Sequence, residues 1–272
     1  MPGARLTDGV FADGIPFARF GAGPKTMLFL AGGPGNLVPK GFGASGFVRG
    51  MRAFTAEYTI VLVTRKSGLA PGYTTRDMAE DCADLIRTEF AGHADLVMGV
   101  SYGGLVAQYL AASHPELLDR LVIAMAGPVV SDSAKAMDLS YARLIHEHGD
   151  REAMAGRADA VATGVARSLM AGALWLFGSA LLGKVDETFR SDVLIEAQAE
   201  QAHDSWGVLG DIAVPTLVVG SDDDFAFPPD VVTAMARAIP VASLKLYPGG
   251  HTAAFLDKRF YPDVHAFTSG SV

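Results

Sequence analysis

One serine sits in a setting that could make it a nucleophile. Gly99-Val100-Ser101-Tyr102-Gly103-Gly104 is a G-x-S-x-G pattern. Glycines on either side let the chain make a tight turn, and the strained serine then projects its hydroxyl outward. The flanks decide whether such a turn is more than a glycine-rich loop. DLVMGV before the serine reads as a strand, and GGLVAQYLAAS after it as a helix. Ser101 therefore falls at a helix N-terminus, where free amides can hold an oxyanion. A serine nucleophile needs a base. His251 lies in Pro248-Gly249-Gly250-His251-Thr252, on a loop after the strand-like SLKLY. The other histidines fit less well. His114 ends a helix in SHP, His146 and His148 form an HEH run, and His93, His203 and His265 have no motif around them. The imidazole needs an acid to orient it, and Asp222, Asp223 and Asp224 follow the apolar run Thr216–Val219.

These groups need a rigid frame. The apolar runs Thr26–Leu30, Tyr58–Thr64, Asp95–Val100, Leu121–Met125, Thr216–Val219 and Ser243–Tyr247 read as strands. Val10–Ala12 and Ile15–Phe20 flank Asp13-Gly14, a hairpin signal. Thr75–Phe90 places Met78, Cys82, Leu85, Ile86 and Phe90 on one helical face. Leu105–Ser113 and Asp230–Ile239 are further helices. Unbroken apolar strands alternating with helices imply an α/β domain whose parallel sheet is buried on both faces. Residues 131–206 break the rhythm and read as an all-helical insertion, leaving 1–130 and 207–272 as the core.

The bulk properties narrow the functions. With 272 residues and 50% hydrophobic content, the chain can bury a large core. Its formal charge of −8 and the lack of a basic run argue against nucleic acid and anionic membranes as partners. Cys82 is the only cysteine, so neither a disulfide nor a CxxC zinc pair can form within the chain. No H-E-x-x-H spacing joins His146 and His148 to the aspartates, so no metal site is expected. The N-terminus carries no signal-peptide pattern. The apolar run Leu169–Gly183 is shorter than the roughly 20 residues a membrane span needs. A cytoplasmic protein is the expectation.

The order Ser, Asp, His in these contexts resembles the α/β-hydrolase superfamily, over nearly the whole chain. The segments carrying the likeness are AGGPG, GVSYGG, PTLVVGSDDDFAFP and PGGH. AGGPG is similar to the HGGPG loop of prolyl-aminopeptidase-like members, with Ala31 in place of His. The loop that often reads D-x-R-G-x-G-x-S there is Thr64-Arg65-Lys66-Ser67-Gly68-Leu69-Ala70-Pro71-Gly72 here. The resemblance implies oxyanion-hole amides at Gly33 and Tyr102. It also implies that 131–206 is a helical cap, with Trp175 and Phe177 able to line a substrate pocket. The family's P-T-L-V-I-H-G-x-x-D pattern, counted from Pro215, puts the acid at Asp224, and Pro228 follows it at the usual spacing. Counting from Gly220 gives Asp223 instead.

The implied function is a serine hydrolase that cleaves a small ester, amide or related acyl bond through an acyl-enzyme, without metal or organic cofactor. Its partner would be a small acyl substrate. A lyase or cofactor-free perhydrolase with the same triad is the alternative. A ligand-binding protein on the same fold fits less well, since all three triad members are present.

Overall fold

The structure, a computed structural model, describes residues 6–33, 35–38, 41–148 and 186–270. Among the described residues, eight strands form one sheet in the order β1-β2-β4-β3-β5-β6-β7-β8. They are β1 (Thr7–Val10), β2 (Pro16–Gly21), β3 (Lys25–Leu30), β4 (Tyr58–Val63), β5 (Leu96–Val100), β6 (Leu121–Ala124), β7 (Thr216–Ser221) and β8 (Ala242–Tyr247). β3 through β8 are parallel, while β2 runs antiparallel to β1 and β4. The hairpin signal at Asp13-Gly14 is the β1–β2 turn, which pairs Val10 with Pro16. Gly14 there has φ +91°, a conformation glycine adopts without strain.

The apolar runs are unbroken because both faces of the sheet are covered. Successive side chains of a strand alternate between faces. Leu28 and Leu30 of β3 join one core, and Met27 and Phe29 the other. Helices α2 (Thr75–Glu89) and α3 (Tyr102–Ser113) cover the first face. α1 (Gly41–Gly50) covers the second. A capping box starts α2: Thr74 accepts from the Asp77 amide, and Asp77 from that of Thr74. Cys82 is buried on the inner side of α2, and burial pushes its thiol up to about 12. Helix α3 is buried from Tyr102 to Ala111. It sits so close to β3 that a Cβ at Gly103 would lie 2.1 Å from the Leu30 carbonyl oxygen.

Between β6 and β7, the described parts of residues 131–206 hold α4 (Asp132–His148), α5 (Glu187–Gln201) and a 3-10 turn, Trp206–Asp211, that begins at their end. Tyr141, Ala142 and Ile145 of α4 pack against Phe189, Val193 and Ala197 of α5. The remaining α-helices among the described residues are α6 (Pro229–Ala238), α7 (Ala253–Leu256) and α8 (Phe260–Thr268). No helix among the described residues is long and apolar enough to cross a membrane.

Helix α5 is unusual in burying acids. Asp192, Glu196 and Glu200 recur every four residues, on one face, and all three are buried. Burial, then the charge and hydrogen bond of Asp138, raises Glu200 to about 8, against which Lys135 pulls it down. His203, one turn on, is lowered to about 4 by burial, and its Nδ1 meets Thr75 Oγ1 at 2.8 Å. The two groups affect stability with opposite sign. A raised carboxyl keeps its proton in the folded state, so stability is lost as pH climbs from the ordinary carboxylate range through 8. A lowered histidine acts only at lower pH, because above its ordinary range it is neutral folded or unfolded. Between about pH 7 and pH 8 the thermal midpoint should therefore fall more in the native protein than in Glu200→Gln. Equal falls in a thermal unfolding series would show that Glu200 ionises normally.

Candidate active site

The chain turns sharply at the end of β5. Ser101 has φ 52° and ψ −119°, a region that side chains rarely occupy. The turn persists because its surroundings leave no room for another. The Ser101 amide donates to the Ala124 carbonyl at 2.9 Å, and the Ser101 carbonyl accepts from Gly104 at 2.8 Å. A Cβ at Gly99 would stand 2.5 Å from the Gly103 carbonyl oxygen. The serine is thus fixed at the head of α3, whose first amides have no partner in the preceding turn.

His251 arrives on the loop after β8. Its Nε2 is 3.0 Å from Ser101 Oγ. Its Nδ1 faces Asp224, 2.9 Å from Oδ2 and 3.1 Å from Oδ1. Asp224 is buried, and its Oδ1 also accepts from the amides of Ala226 and Phe227 at 2.9 and 3.1 Å. Phe227 and Phe225 flank the imidazole, with ring centroids 5.7 and 6.2 Å away. Of the three neighbouring aspartates, the structure brings Asp224 to the histidine. Asp222 turns away, accepting from the Gly249 amide at 2.8 Å, and Asp223 is exposed. Those bonds, with the Asp223 amide donating to the Gly249 carbonyl at 3.0 Å, join the acid loop to the histidine loop.

The glycine-rich loop after β3 lies beside the serine. A Cβ at Gly32 would stand 2.8 Å from the Val100 carbonyl oxygen and 3.0 Å from Ser101 Cβ. Gly33 has φ +73° and open space around it, so its need for glycine is conformational.

A family model for the alpha/beta hydrolase fold matches residues 26–258, most of the chain. The chain belongs to the α/β-hydrolase family. Among curated relatives, it is 30% identical over 208 residues to the "Putative carbamate hydrolase RutD" of Yersinia enterocolitica, covering 69% of this chain and 67% of that one. The protein of the same name from Serratia proteamaculans is 26% identical over 219 residues, covering 72% and 73%. Among solved structures, the enol-lactonase of Burkholderia xenovorans LB400 superposes with a TM-score of 0.72 at 20% identity, covering 94% and 96%. At that identity the likeness concerns the fold. The chain is an enzyme of this hydrolase family, and Ser101, Asp224 and His251 follow the carboxyl ends of β5, β7 and β8 in its sheet.

Sequence reading passed over the groups that brace the α/β-hydrolase loop from behind. Arg65, at the end of β4, is buried. Its Nη1 donates to the Ala31 carbonyl at 2.8 Å, and its Nη2 to that of Gly33 at 2.6 Å and to that of Gly35. The same guanidinium pairs with Glu196, Nη2 to Oε2, at 3.2 Å. Glu196 in turn accepts from the Gly35 amide at 2.7 Å. Burial raises the Glu196 carboxyl, and the Arg65 charge is the largest effect pulling it down. Asp192 accepts from the Asn36 side chain at 3.2 Å and from the amides of Gly68 and Leu69 at 2.9 and 2.8 Å. The sequence carried only part of a signal for this cluster: acids four residues apart in the helix Glu187–Gln201. Trp175 and Phe177 lie outside the described residues.

Proposed function

We propose that the protein is a serine hydrolase that cleaves a small ester, amide or carbamate through an acyl-enzyme. The observation that carries this reading is the hydrogen-bonded chain from Ser101 Oγ through His251 to Asp224, with distances of 3.0 and 2.9 Å. Ser101 attacks the acyl carbon while His251 Nε2 takes its proton. Asp224 holds the ring so that Nε2 faces the hydroxyl, and it stabilises the imidazolium. Its two further amide bonds hold the carboxylate in place beside the ring. The amides of Gly33 and Tyr102 receive the negative charge on the carbonyl oxygen. His251 then protonates the leaving group, and water attacks the acyl-enzyme by the same route in reverse.

The carbamate option comes from the curated relatives, and the ester and amide options from the chemistry itself. In this reading the described helices α4 and α5 belong to a cap over the site. The exposed Phe225 beside the His251 ring supports an apolar acyl group.

Two measurements test the mechanism. Fluorophosphonate should label the native protein, and Ser101→Ala should lose both labelling and turnover while staying folded. A Ser101→Ala protein that still labels would move the nucleophile elsewhere. A panel of p-nitrophenyl esters, anilides and carbamates then ranks the substrate classes. For the acid, Asp224→Asn should lower kcat by up to about ten-thousandfold, the scale seen for such a change in a serine protease. Asp223→Asn should leave kcat near native, and the reverse ranking would reassign the acid.

A further inference from the structure

Five peptide units link Ala31 to Asn36, and the cluster behind them holds four. The Ala31, Gly33 and Gly35 carbonyls all accept from the Arg65 guanidinium. The Gly35 amide donates to Glu196. Only the unit joining Gly32 to Gly33 has no partner among the described residues, and it carries the amide that the acyl-transfer reading aims at substrate. The second oxyanion amide belongs to Tyr102, and Tyr102 is tied to the same groups. Its hydroxyl donates to the Glu196 carbonyl at 3.0 Å, and the Arg65 guanidinium lies over its ring, 5.0 Å from the centroid.

We propose that Arg65 and Glu196 are positioning residues for the oxyanion hole, and that through Glu196 the helix Glu187–Gln201 sets the placement of both of its amides. The proposal rests on the acyl-transfer reading above. Among the described residues Arg65 hydrogen-bonds neither Ser101 nor His251, and it reaches the reaction through the loop it grips. Its planar fork is needed for that, because one guanidinium must serve three carbonyls and a carboxylate together. An ammonium is a point charge that can keep the ion pair but cannot present that donor array. Glu196 anchors the other side: its carboxylate holds the guanidinium and the Gly35 amide, and its own backbone holds the Tyr102 ring. Gly35 has φ +89°, and a Cβ there would come within 2.6 Å of the Phe189 ring, so the loop and this helix are in direct contact.

The test uses p-nitrophenyl acetate hydrolysis, the fluorophosphonate labelling rate and the thermal midpoint on the full chain. Arg65→Lys should lower kcat and the labelling rate together by about 10- to 100-fold, the scale of a misplaced or missing oxyanion donor. KM should stay within about twofold of native, and so should the position of the pH–rate midpoint, because the Ser101–His251–Asp224 chain is not disturbed. A folded Arg65→Lys protein with near-native kcat overturns the proposal. So does a kcat loss that comes with a moved pH midpoint, since Arg65 would then act on His251. Should Arg65→Lys fail to fold, Glu196→Gln decides by the same readouts. It keeps an acceptor for Gly35 but no charge for Arg65. A kcat loss of about threefold or more at constant KM supports the proposal, and native kcat overturns it. A native protein that fluorophosphonate does not label at Ser101 would instead defeat the acyl-transfer reading, which keeps the two failures distinct.

Discussion

A serine backbone held at φ 52° between β5 and α3 governs the layout of the site. Such a conformation is unfavourable alone, by roughly 1–3 kcal/mol, and persists only where neighbours over-determine it. Here those neighbours are the sheet and helix themselves. The Ser101 amide continues the ladder to β6 through Ala124, and its carbonyl starts the helix at Gly104 and Leu105. Space is denied on the other sides by backbone: Gly99 against the Gly103 carbonyl, and Gly103 against that of Leu30. Relaxing the serine would mean lifting α3 off β3 and opening the core that both share. The strain is therefore tied to global packing, and the hydroxyl inherits the rigidity of the sheet.

The parallel sheet also explains how distant residues converge. The carboxyl ends of parallel strands lie along one edge, and the loops leaving them meet there. Gly33 leaves β3, Arg65 leaves β4, Ser101 leaves β5, Asp224 follows β7 and His251 follows β8. Adjacent pairing of β7 with β8 brings the acid and histidine loops together, and the Asp222–Gly249 and Asp223–Gly249 bonds fix their spacing. That division of labour accounts for three aspartates in a row. Asp224 hydrogen-bonds the imidazole, Asp222 ties the two loops by its side chain, and Asp223 does so by its backbone.

Much of this was legible in the sequence because it rests on local rules. The strand–turn–helix around Ser101, the hairpin at Asp13-Gly14 and the α2 stripe through Cys82 each follow from a handful of neighbouring residues. The register of the acid was less legible. Asp223 and Asp224 differ by one step in a turn, and only the fold reveals which carboxylate is buried beside His251. Arg65 and Glu196 were missed for a deeper reason. They are separated by more than a hundred residues, and no periodicity links a loop arginine to a helix acid far along the chain. The loop Thr64–Gly72 read as a departure from the family pattern, yet it supplies the arginine that binds the Ala31 and Gly33 carbonyls. The β6 strand ends one residue short of the apolar run, where Met125 turns to φ 52° while its amide still donates to the Val219 carbonyl at 2.7 Å.

The buried ion pair between Arg65 and Glu196 needs its own explanation, since burial of two charges commonly costs as much as their attraction returns. Three backbone carbonyls around one guanidinium shift that balance, as each replaces a water that the charge would otherwise lose. The loop needs the guanidinium as well. Glycines at 32, 33 and 35 give the loop its shape but leave its backbone with many alternative conformations. A hydrophobic replacement of the pair could hold the helix to the core equally well. It could not orient peptide planes, because apolar contacts carry no direction. The polar cluster is therefore better understood as a device for direction than for stability, and its position behind the loop peptide that has no partner among the described residues follows from that need.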